Sequence, residues 1–172
     1  GNGHCVQSSQ FAAALSSGGT DREVALGLAF VGTFPPTQCG LATFTESMVN
    51  SISHAAPAVE PVVIRLIQPE EPTGGAARAT IDWIAGDAAS FHQVRDTVEN
   101  VDVVILQHEY GIYGGPDGDE VLDLLRTTTT PSIAVLHTVL ADPTPHQRAV
   151  LEELIERADV TVTQTAAARL RL

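Results

Sequence analysis

The chain has 172 residues, enough for one large domain or two small ones with a buried core. Its 44% hydrophobic and 17% charged residues are typical of a globular α/β protein and exclude a disordered chain. The net charge of -12, with nine scattered basic residues that are all arginine, argues against nucleic acid or an anionic membrane as a partner.

The two cysteines, Cys5 and Cys39, are too few and too far apart to suggest a disulfide framework or a zinc site. Free thiols favour a cytoplasmic protein. No apolar run reaches transmembrane length, and the N-terminal stretch lacks the basic start and continuous apolar core of a signal peptide. We interpret residues 1–24 as a flexible lead-in and residues 25–172 as one domain.

Short apolar runs alternate with amphipathic stretches along the chain. The apolar runs are rich in Val, Ile and Leu, which is typical of parallel strands covered on both faces. They predict strands at 26–31, 61–67, 80–84, 103–107, 132–136 and 160–163. Helices are predicted at 41–54, 87–99, 118–127 and 146–158, and a surface loop at 68–75. This alternation predicts a Rossmann-like, doubly wound parallel sheet with strand order 3-2-1-4-5-6.

The first predicted strand runs through a proline-containing turn into Gly40 and the first helix. Thr43 and Glu46 have the spacing of a capping box at the start of this helix. Its buried face is predicted from apolar residues three or four positions apart, namely Leu41, Phe44, Met48 and Ile52. A strand, a glycine turn and a helix N-terminus can bind a phosphate, although Gly40 can equally serve only to turn the chain.

The last long helix has a second capping signal. Thr144, Pro145 and Gln147 supply an N-cap, a first-turn proline and the partner of a capping box. Its buried stripe is predicted at Val150, Leu151, Leu154 and Ile155.

Ligands of open parallel sheets bind at the carboxyl ends of the strands, which singles out the loops 33–40, 108–117 and 137–144. His108 and Glu109 are expected where a strand ends, and Tyr110 and Tyr113 offer flat faces that can stack on sugars. Alternatively, the glycines here form a structural loop. His137 directly follows an apolar run, so it is expected at a strand end, where it serves either a site or the core.

Several other kinds of site are excluded by missing motifs. The chain has no GxxxxGK[ST] loop of ATPases, no GxGxxG dinucleotide fingerprint and no GxSxG nucleophile motif. His108, His137 and His146 could gather around a metal, but no cysteine or carboxylate spacing accompanies them. We therefore expect neither a metal nor a cofactor.

Taken in order, these loops resemble the N-terminal half of a glycosyltransferase family four enzyme with the GT-B architecture. The segment 35–52 resembles the family's first loop and helix, although the family usually has Gly-Gly where this chain has Cys39 and Gly40. The segment 135–138 resembles its strand-end histidine motif, and 156–170 is similar to the continuation of that motif. The segment 107–115 looks like a variant from a bacterial subgroup of the family.

The resemblance implies retaining transfer of a sugar from a nucleotide-sugar donor to a carbohydrate or small-molecule acceptor. It implies that Gly40, Cys39 and Leu41 approach the donor phosphates and that His137 lies near the reacting sugar. The acceptor side would be shaped by His108, Glu109, Tyr110 and Tyr113.

In this family a second domain carries most of the donor site. We therefore expect the chain to be part of a longer protein, to be inactive by itself, and to expose His108, Tyr110, Tyr113 and His137 in an interdomain cleft. Two alternatives stay open. One is an epimerase of sugar nucleotides or a phosphorylase with the same architecture, and the other is a non-catalytic sugar-binding or interaction module.

Overall fold

The computed structural model describes residues 26–59, 61–75 and 81–172, so the lead-in predicted at 1–24 lies outside the described residues. Within these ranges the strands are β1 (Leu28–Gly32), β2 (Val62–Ile67), β3 (Ile81–Ile84), β4 (Val103–His108), β5 (Ser132–Leu136) and β6 (Val160–Thr163). The helices are α1 (Gly40–Ala55), α2 (Ala88–Val98), α3 (Glu120–Thr127), α4 (Pro145–Arg157) and α5 (Ala166–Arg169). A short 3-10 turn, Pro116–Gly118, precedes α3.

The strands form one parallel sheet in the order β3-β2-β1-β4-β5-β6. This is the predicted Rossmann-like α/β fold and the predicted strand order. The largest difference at a strand start is at β1, which was expected from residue 26 and begins at Leu28. The segment 68–75 forms a loop, as predicted.

The core has two parts because both faces of the sheet are covered. Helices α2, α3 and α4 pack on one face through residues such as Val98, Leu124 and Leu154. Helix α1 packs on the other face through Val49, against Phe30 and its neighbours on the central strands. The alternating side chains of each strand therefore enter two separate apolar clusters.

Helix α1 differs from its prediction in its cap and its buried face. The helix begins at Gly40, and the N-cap is Cys39, whose sulfur accepts the N–H of Ala42 at 3.4 Å. The capping box predicted from Thr43 and Glu46 is wrong because those residues lie inside the helix. The face in closest contact with the sheet consists of Ala42, Thr45 and Val49. The predicted stripe lies to one side of it, with Phe44 exposed and with Leu41, Met48 and Ile52 only partly buried.

Helix α4 agrees with its prediction. The Thr144 side chain accepts the N–H of Gln147 at 3.2 Å, and the Gln147 side chain accepts the N–H of Thr144 at 3.0 Å. Both bonds of the capping box are therefore present, with Pro145 in the first turn. Of the predicted stripe, Val150, Leu151 and Leu154 are buried and Ile155 is partly buried.

A buried ion pair fixes the loop that follows β2. Arg65 is only 1% exposed, and its Nε lies 2.7 Å from Oδ1 of Asp82 on β3. The Arg65 guanidinium also donates to the carbonyl oxygens of Pro72 and Gly74, and the N–H of Gly74 donates to the other oxygen of Asp82. The charges and the loop backbone thus satisfy one another, which a buried guanidinium requires.

Candidate functional site

Three loops leave adjacent strands at one edge of the sheet. Strand β1 ends at Gly32, β4 at His108 and β5 at Leu136, and these strands are neighbours in the order β1-β4-β5. Because the strands are parallel, the loops 33–40 and 108–117 and the loop that begins at 137 all start at the carboxyl edge, as predicted. This edge is the candidate site.

His137 lies at the carboxyl end of β5, as predicted, and is half-buried. Its backbone N–H donates to the carbonyl oxygen of His108 at 3.0 Å, so the adjacent strand fixes its backbone. Its ring Nε2 lies 2.7 Å from Oε1 of Gln107, and its Nδ1 lies 2.8 Å from Nε2 of Gln164. Burial lowers the pKa of His137, although the negative charge of Glu109 raises it. The lowered pKa favours the neutral imidazole.

Gln107 is fully buried one residue before the end of β4. It shares the strand face of Ile105, which belongs to the apolar cluster beneath α1, so its side chain extends toward α1. A Cβ on Gly32 would lie 2.8 Å from Cγ of Gln107, so the absence of a side chain on β1 makes room for the glutamine. The Tyr113 hydroxyl donates to the carbonyl oxygen of Gln107 at 2.8 Å. Both the side chain and the backbone of Gln107 are therefore held in place.

Helix α1 adjoins His137 near its N-terminal end, through its fifth residue, Phe44. The ring of Phe44 meets the imidazole edge-on, with 4.9 Å between the ring centroids, although Phe44 is 37% exposed. Cys39 and Gly40 are exposed, and Leu41 is partly buried. Apart from its two chain neighbours and the adjacent backbone of α1, no heavy atom of the described residues lies within 4 Å of the position of a Cβ on Gly40. The predicted donor-phosphate segment is thus an open helix N-terminus.

Glu109 and Thr138 join the loops that follow β4 and β5. The Thr138 hydroxyl donates to one oxygen of the Glu109 carboxylate, and the backbone N–H of Tyr110 donates to the other at 3.0 Å. Glu109 is partly exposed, so its carboxylate borders the candidate site rather than the core.

The structure corrects the expected exposure of three predicted site residues. His108 is 0% exposed, Tyr110 is 9% exposed and Tyr113 is 4% exposed, whereas His137 is half-buried. His108 lies on the same face of β4 as Leu106, so it faces away from α1, toward the larger cluster. The ring of Tyr113 packs edge-on against Trp83 at 5.5 Å, which makes it a core residue rather than a stacking platform.

His108 and Tyr110 form an unusual buried pair. Their rings lie 5.1 Å apart, and within the described part of the chain neither the ring nitrogens of His108 nor the hydroxyl of Tyr110 has a hydrogen-bond partner. Burial lowers the pKa of His108 to about 4, although the Glu109 charge raises it. Burial likewise raises the pKa of Tyr110. Both side chains are therefore uncharged at neutral pH.

The glycine-rich segment 111–118 is packed against its neighbours. The carboxylate of Glu120 accepts the N–H of Gly114 at 3.0 Å and that of Gly86 at 3.2 Å. Gly118 has a φ of 73°, and a Cβ there would lie 2.7 Å from a backbone carbonyl oxygen. These contacts support the interpretation of the segment as a structural loop.

His146 lies apart from His137, at the start of α4, where its Nδ1 pairs with Oδ2 of Asp117 at 2.8 Å. In residues 26–59, 61–75 and 81–172, no three His, Cys, Asp or Glu side chains converge so that they could hold a metal ion. Around His137 the edge presents the amides of Gln107 and Gln164, with the Glu109 carboxylate held nearby by Thr138.

Two residues of the site were not predicted from the sequence, Gln107 and Gln164. Gln107 did carry a signal, because it is a polar residue inside the apolar run of β4 and in phase with its buried positions. Gln164 directly follows β6, so only its place at a strand end could have pointed to it.

No protein-family model matches this chain, and no curated protein matches it. In the part of the chain that the structure describes, no helix is both long and apolar enough to cross a membrane. Among solved structures, the chain is similar to one described as a conserved protein from Enterococcus faecalis, with 10% identity, coverage of 86% of each chain and a TM-score of 0.41.

Proposed function

We propose that this chain is the acceptor-side domain of a retaining glycosyltransferase that uses a nucleotide-sugar donor. The observation that carries the proposal is the position of His137. It stands at the carboxyl edge of a Rossmann-like sheet, is held by Gln107 and Gln164, and contacts Phe44, the fifth residue of the helix that follows β1. Open α/β sheets bind their ligands at this edge.

In this proposal the first turn of α1 receives the donor phosphates. Gly40 has open space beside its backbone, and Cys39 and Leu41 flank it. A helix N-terminus favours an anion through its free N–H groups and its dipole. The net charge of -12 means that the cations needed to hold a diphosphate would come from a second domain.

In this proposal fewer residues contact the acceptor than the sequence alone indicated. Glu109 remains a candidate acceptor contact because it is partly exposed. Its bond to Thr138 joins the loops that follow β4 and β5. The buried side chains do not contact the acceptor in this proposal and instead pack beneath the residues of the site; they are His108, Tyr110 and Tyr113. The proposal also includes a cytoplasmic location, in keeping with the free thiol of Cys39.

One observation favours the alternative of a non-catalytic sugar-binding or interaction module. Both ring nitrogens of His137 already have protein partners, so a reacting sugar would have to displace one of them. A transferase tolerates this only if the displaced partner is mobile and exposed. Gln164 is exposed, so it is the partner that a reacting sugar would displace in the transferase proposal.

The test is an assay for release of nucleoside diphosphate by the longest natural polypeptide that contains this chain. It would be incubated with a panel of uridine, guanosine and adenosine diphosphate sugars and simple sugar acceptors. A retaining transferase releases the nucleoside diphosphate with at least one donor, and the sugar that it transfers keeps its anomeric configuration in the bond to the acceptor. Absence of release and of product with every donor would instead support the module.

A further inference from the structure

We propose that Gln107 fixes His137 as the tautomer that carries its proton on Nε2, so that the outward nitrogen, Nδ1, is a hydrogen-bond acceptor for a ligand hydroxyl. In this proposal Gln164 occupies the place of that hydroxyl and is displaced by it. Gln107 is a positioning residue, because it acts through His137. The tautomer is independent of the proposed function; only the identification of the hydroxyl as that of a sugar rests on it.

The tautomer of His137 depends on the orientation of the Gln107 side-chain amide. Its Nε2 lies 3.5 Å from the sulfur of Met48, and its Oε1 lies 2.7 Å from Nε2 of His137. A thioether sulfur accepts hydrogen bonds weakly and donates none, so the amide N–H belongs on the Met48 side. The carbonyl oxygen then faces the imidazole.

The protonation of the imidazole follows from that orientation. A carbonyl oxygen only accepts hydrogen bonds, so the Nε2 of His137 must donate to Oε1 of Gln107. In the neutral ring Nδ1 then carries a lone pair, and it receives an N–H of Gln164 at 2.8 Å. The three side chains form a chain of hydrogen bonds with one direction, from Gln164 to His137 and from His137 to Gln107.

The two glutamines differ in how firmly they are held. The side chain of Gln107 is fully buried and confined by Gly32, and its backbone carbonyl oxygen accepts a hydrogen bond from the Tyr113 hydroxyl. Gln164 is exposed in the loop between β6 and α5. Rotation of the exposed side chain uncovers Nδ1 of His137, whereas the buried side chain keeps the tautomer unchanged.

The chemistry of the ligand follows from the acceptor. A hydroxyl or an amide can donate to a lone pair, whereas a fully ionised phosphate offers only acceptors. The nitrogen therefore selects for a hydroxyl, as on a sugar, and against a phosphate oxygen. His137 cannot donate a hydrogen bond to a ligand in this tautomer, because its single ring N–H, at Nε2, already donates to Gln107.

The decisive measurement is NMR of the chain with isotope-labelled histidine, at a pH well above the ordinary imidazole pKa. The ring-nitrogen shifts distinguish a protonated nitrogen from one with a lone pair, and His137→Asn identifies the signals. We expect the protonated type at Nε2 and the lone-pair type at Nδ1. A ring protonated mainly at Nδ1 overturns the proposal.

Two substitutions test the positioning role of Gln107. Gln107→Glu keeps an acceptor beside Nε2 and should preserve the tautomer, whereas Gln107→Leu removes it and should produce a mixture of both. Gln93→Leu, an exposed glutamine on α2, is the matched control and should change nothing. An unchanged tautomer in folded Gln107→Leu overturns the positioning role. If that variant does not fold, the Gln107→Glu spectrum decides, and loss of the tautomer there overturns it.

The Gln164→Ala variant tests the ligand class. Its Nδ1 signal should move on titration with glucose at high millimolar concentration and should stay in place with inorganic phosphate. A shift with phosphate, or no shift with glucose, overturns the assignment of a hydroxyl site. Neither result depends on diphosphate release, so failure here and failure of the transferase proposal are distinguishable.

Discussion

Gly32 and Gln107 lie side by side on β1 and β4, so close that a Cβ on Gly32 would stand 2.8 Å from Cγ and 2.9 Å from Cβ of Gln107. The imidazole of His137 is in turn hydrogen-bonded to the side-chain amide of Gln107. The geometry at the end of β5 therefore depends on a residue of β1 that has no side chain.

The first prediction concerns this contact. Gly32→Ala should lower the free energy of unfolding by about 1–3 kcal/mol, because the added methyl overpacks a buried site. Urea denaturation measures the change. Gly40→Ala is the matched control, since the space beside Gly40 is open among the described residues, and its effect should stay within about 1 kcal/mol. A Gly32→Ala protein as stable as the wild type would contradict the packing described for Gln107.

The second prediction concerns the buried pair of Arg65 and Asp82. Asp82→Asn leaves the guanidinium of Arg65 buried without its counter-charge, which should cost about 3 kcal/mol of unfolding free energy. Asp96→Asn removes the exposed partner of Arg95 and should change stability by less than about 1 kcal/mol. Equal effects in the two variants would show that burial does not strengthen the Arg65 pair.

The pair of Arg65 and Asp82 should also account for part of the loss of protein stability at low pH. Burial by itself raises the pKa of Asp82, but hydrogen bonds from Arg65 and Gly74 outweigh it and hold the pKa below its ordinary value of 3.8. Because the folded pKa is lowered, the stability that it contributes is complete above the ordinary value and is lost as pH falls through the folded one. Denaturation below pH 3.8 should therefore be less steep in Asp82→Asn.

The third prediction concerns His108, whose buried nitrogens have no partner among the described residues. Burial lowers its pKa from 6.5 to about 4, so the unfolded chain binds a proton more readily than the folded one. Between these values the wild type should lose up to about 1.4 kcal/mol of stability for each unit of falling pH through this residue. His108→Leu should remove that loss and be at least as stable as the wild type above pH 6.5.

The difference between wild type and His108→Leu in urea midpoints across this pH range is the measurement. The exposed His92, replaced by leucine in the same way, is the control and should leave the wild-type pH dependence in place. A His108→Leu protein with the wild-type pH dependence would show that His108 does not titrate as a buried imidazole.

The bounds of the strands were predictable because most strands are short runs rich in Val, Ile and Leu, and their order is the usual one of a doubly wound sheet. The cap of α4 was predictable because all its partners are local in sequence. The start of α1 was not, because a cysteine sulfur serves as the cap in place of the usual oxygen. Its buried face was misjudged because the sheet admits the small side chains of Ala42 and Thr45 where larger ones were expected.

The candidate site was predictable only in part. The place of His137 follows from the end of an apolar run, which is a local property. The burial of Tyr113 arises from contact with Trp83, thirty positions away on β3, and the sequence gives no local sign of it. The bond between Gln107 and His137 likewise depends on the register of β4 and β5, which becomes visible only in the folded chain.

The fourth prediction concerns donor binding by this chain. Since its charge is -12 and the first turn of α1 carries no basic residue, we expect nucleotide sugars to bind with a Kd weaker than about 1 mM. Isothermal calorimetry with the donor panel measures this. Micromolar binding would show that the phosphate site is complete within these residues and that the charge argument is wrong.

The most direct test of the account is the turnover of His137→Ala in the longest natural polypeptide that contains this chain. Loss of one preorganised polar contact to a reacting group costs a hundredfold or more in kcat, roughly 3 kcal/mol. The lost bonds to Gln107 and Gln164 should lower the free energy of unfolding by only about 1 kcal/mol. We predict a folded variant with slightly lower Tm and at least a hundredfold lower release of nucleoside diphosphate. Wild-type turnover in the folded variant would contradict the account and leave His137 as a structural residue of the sheet edge.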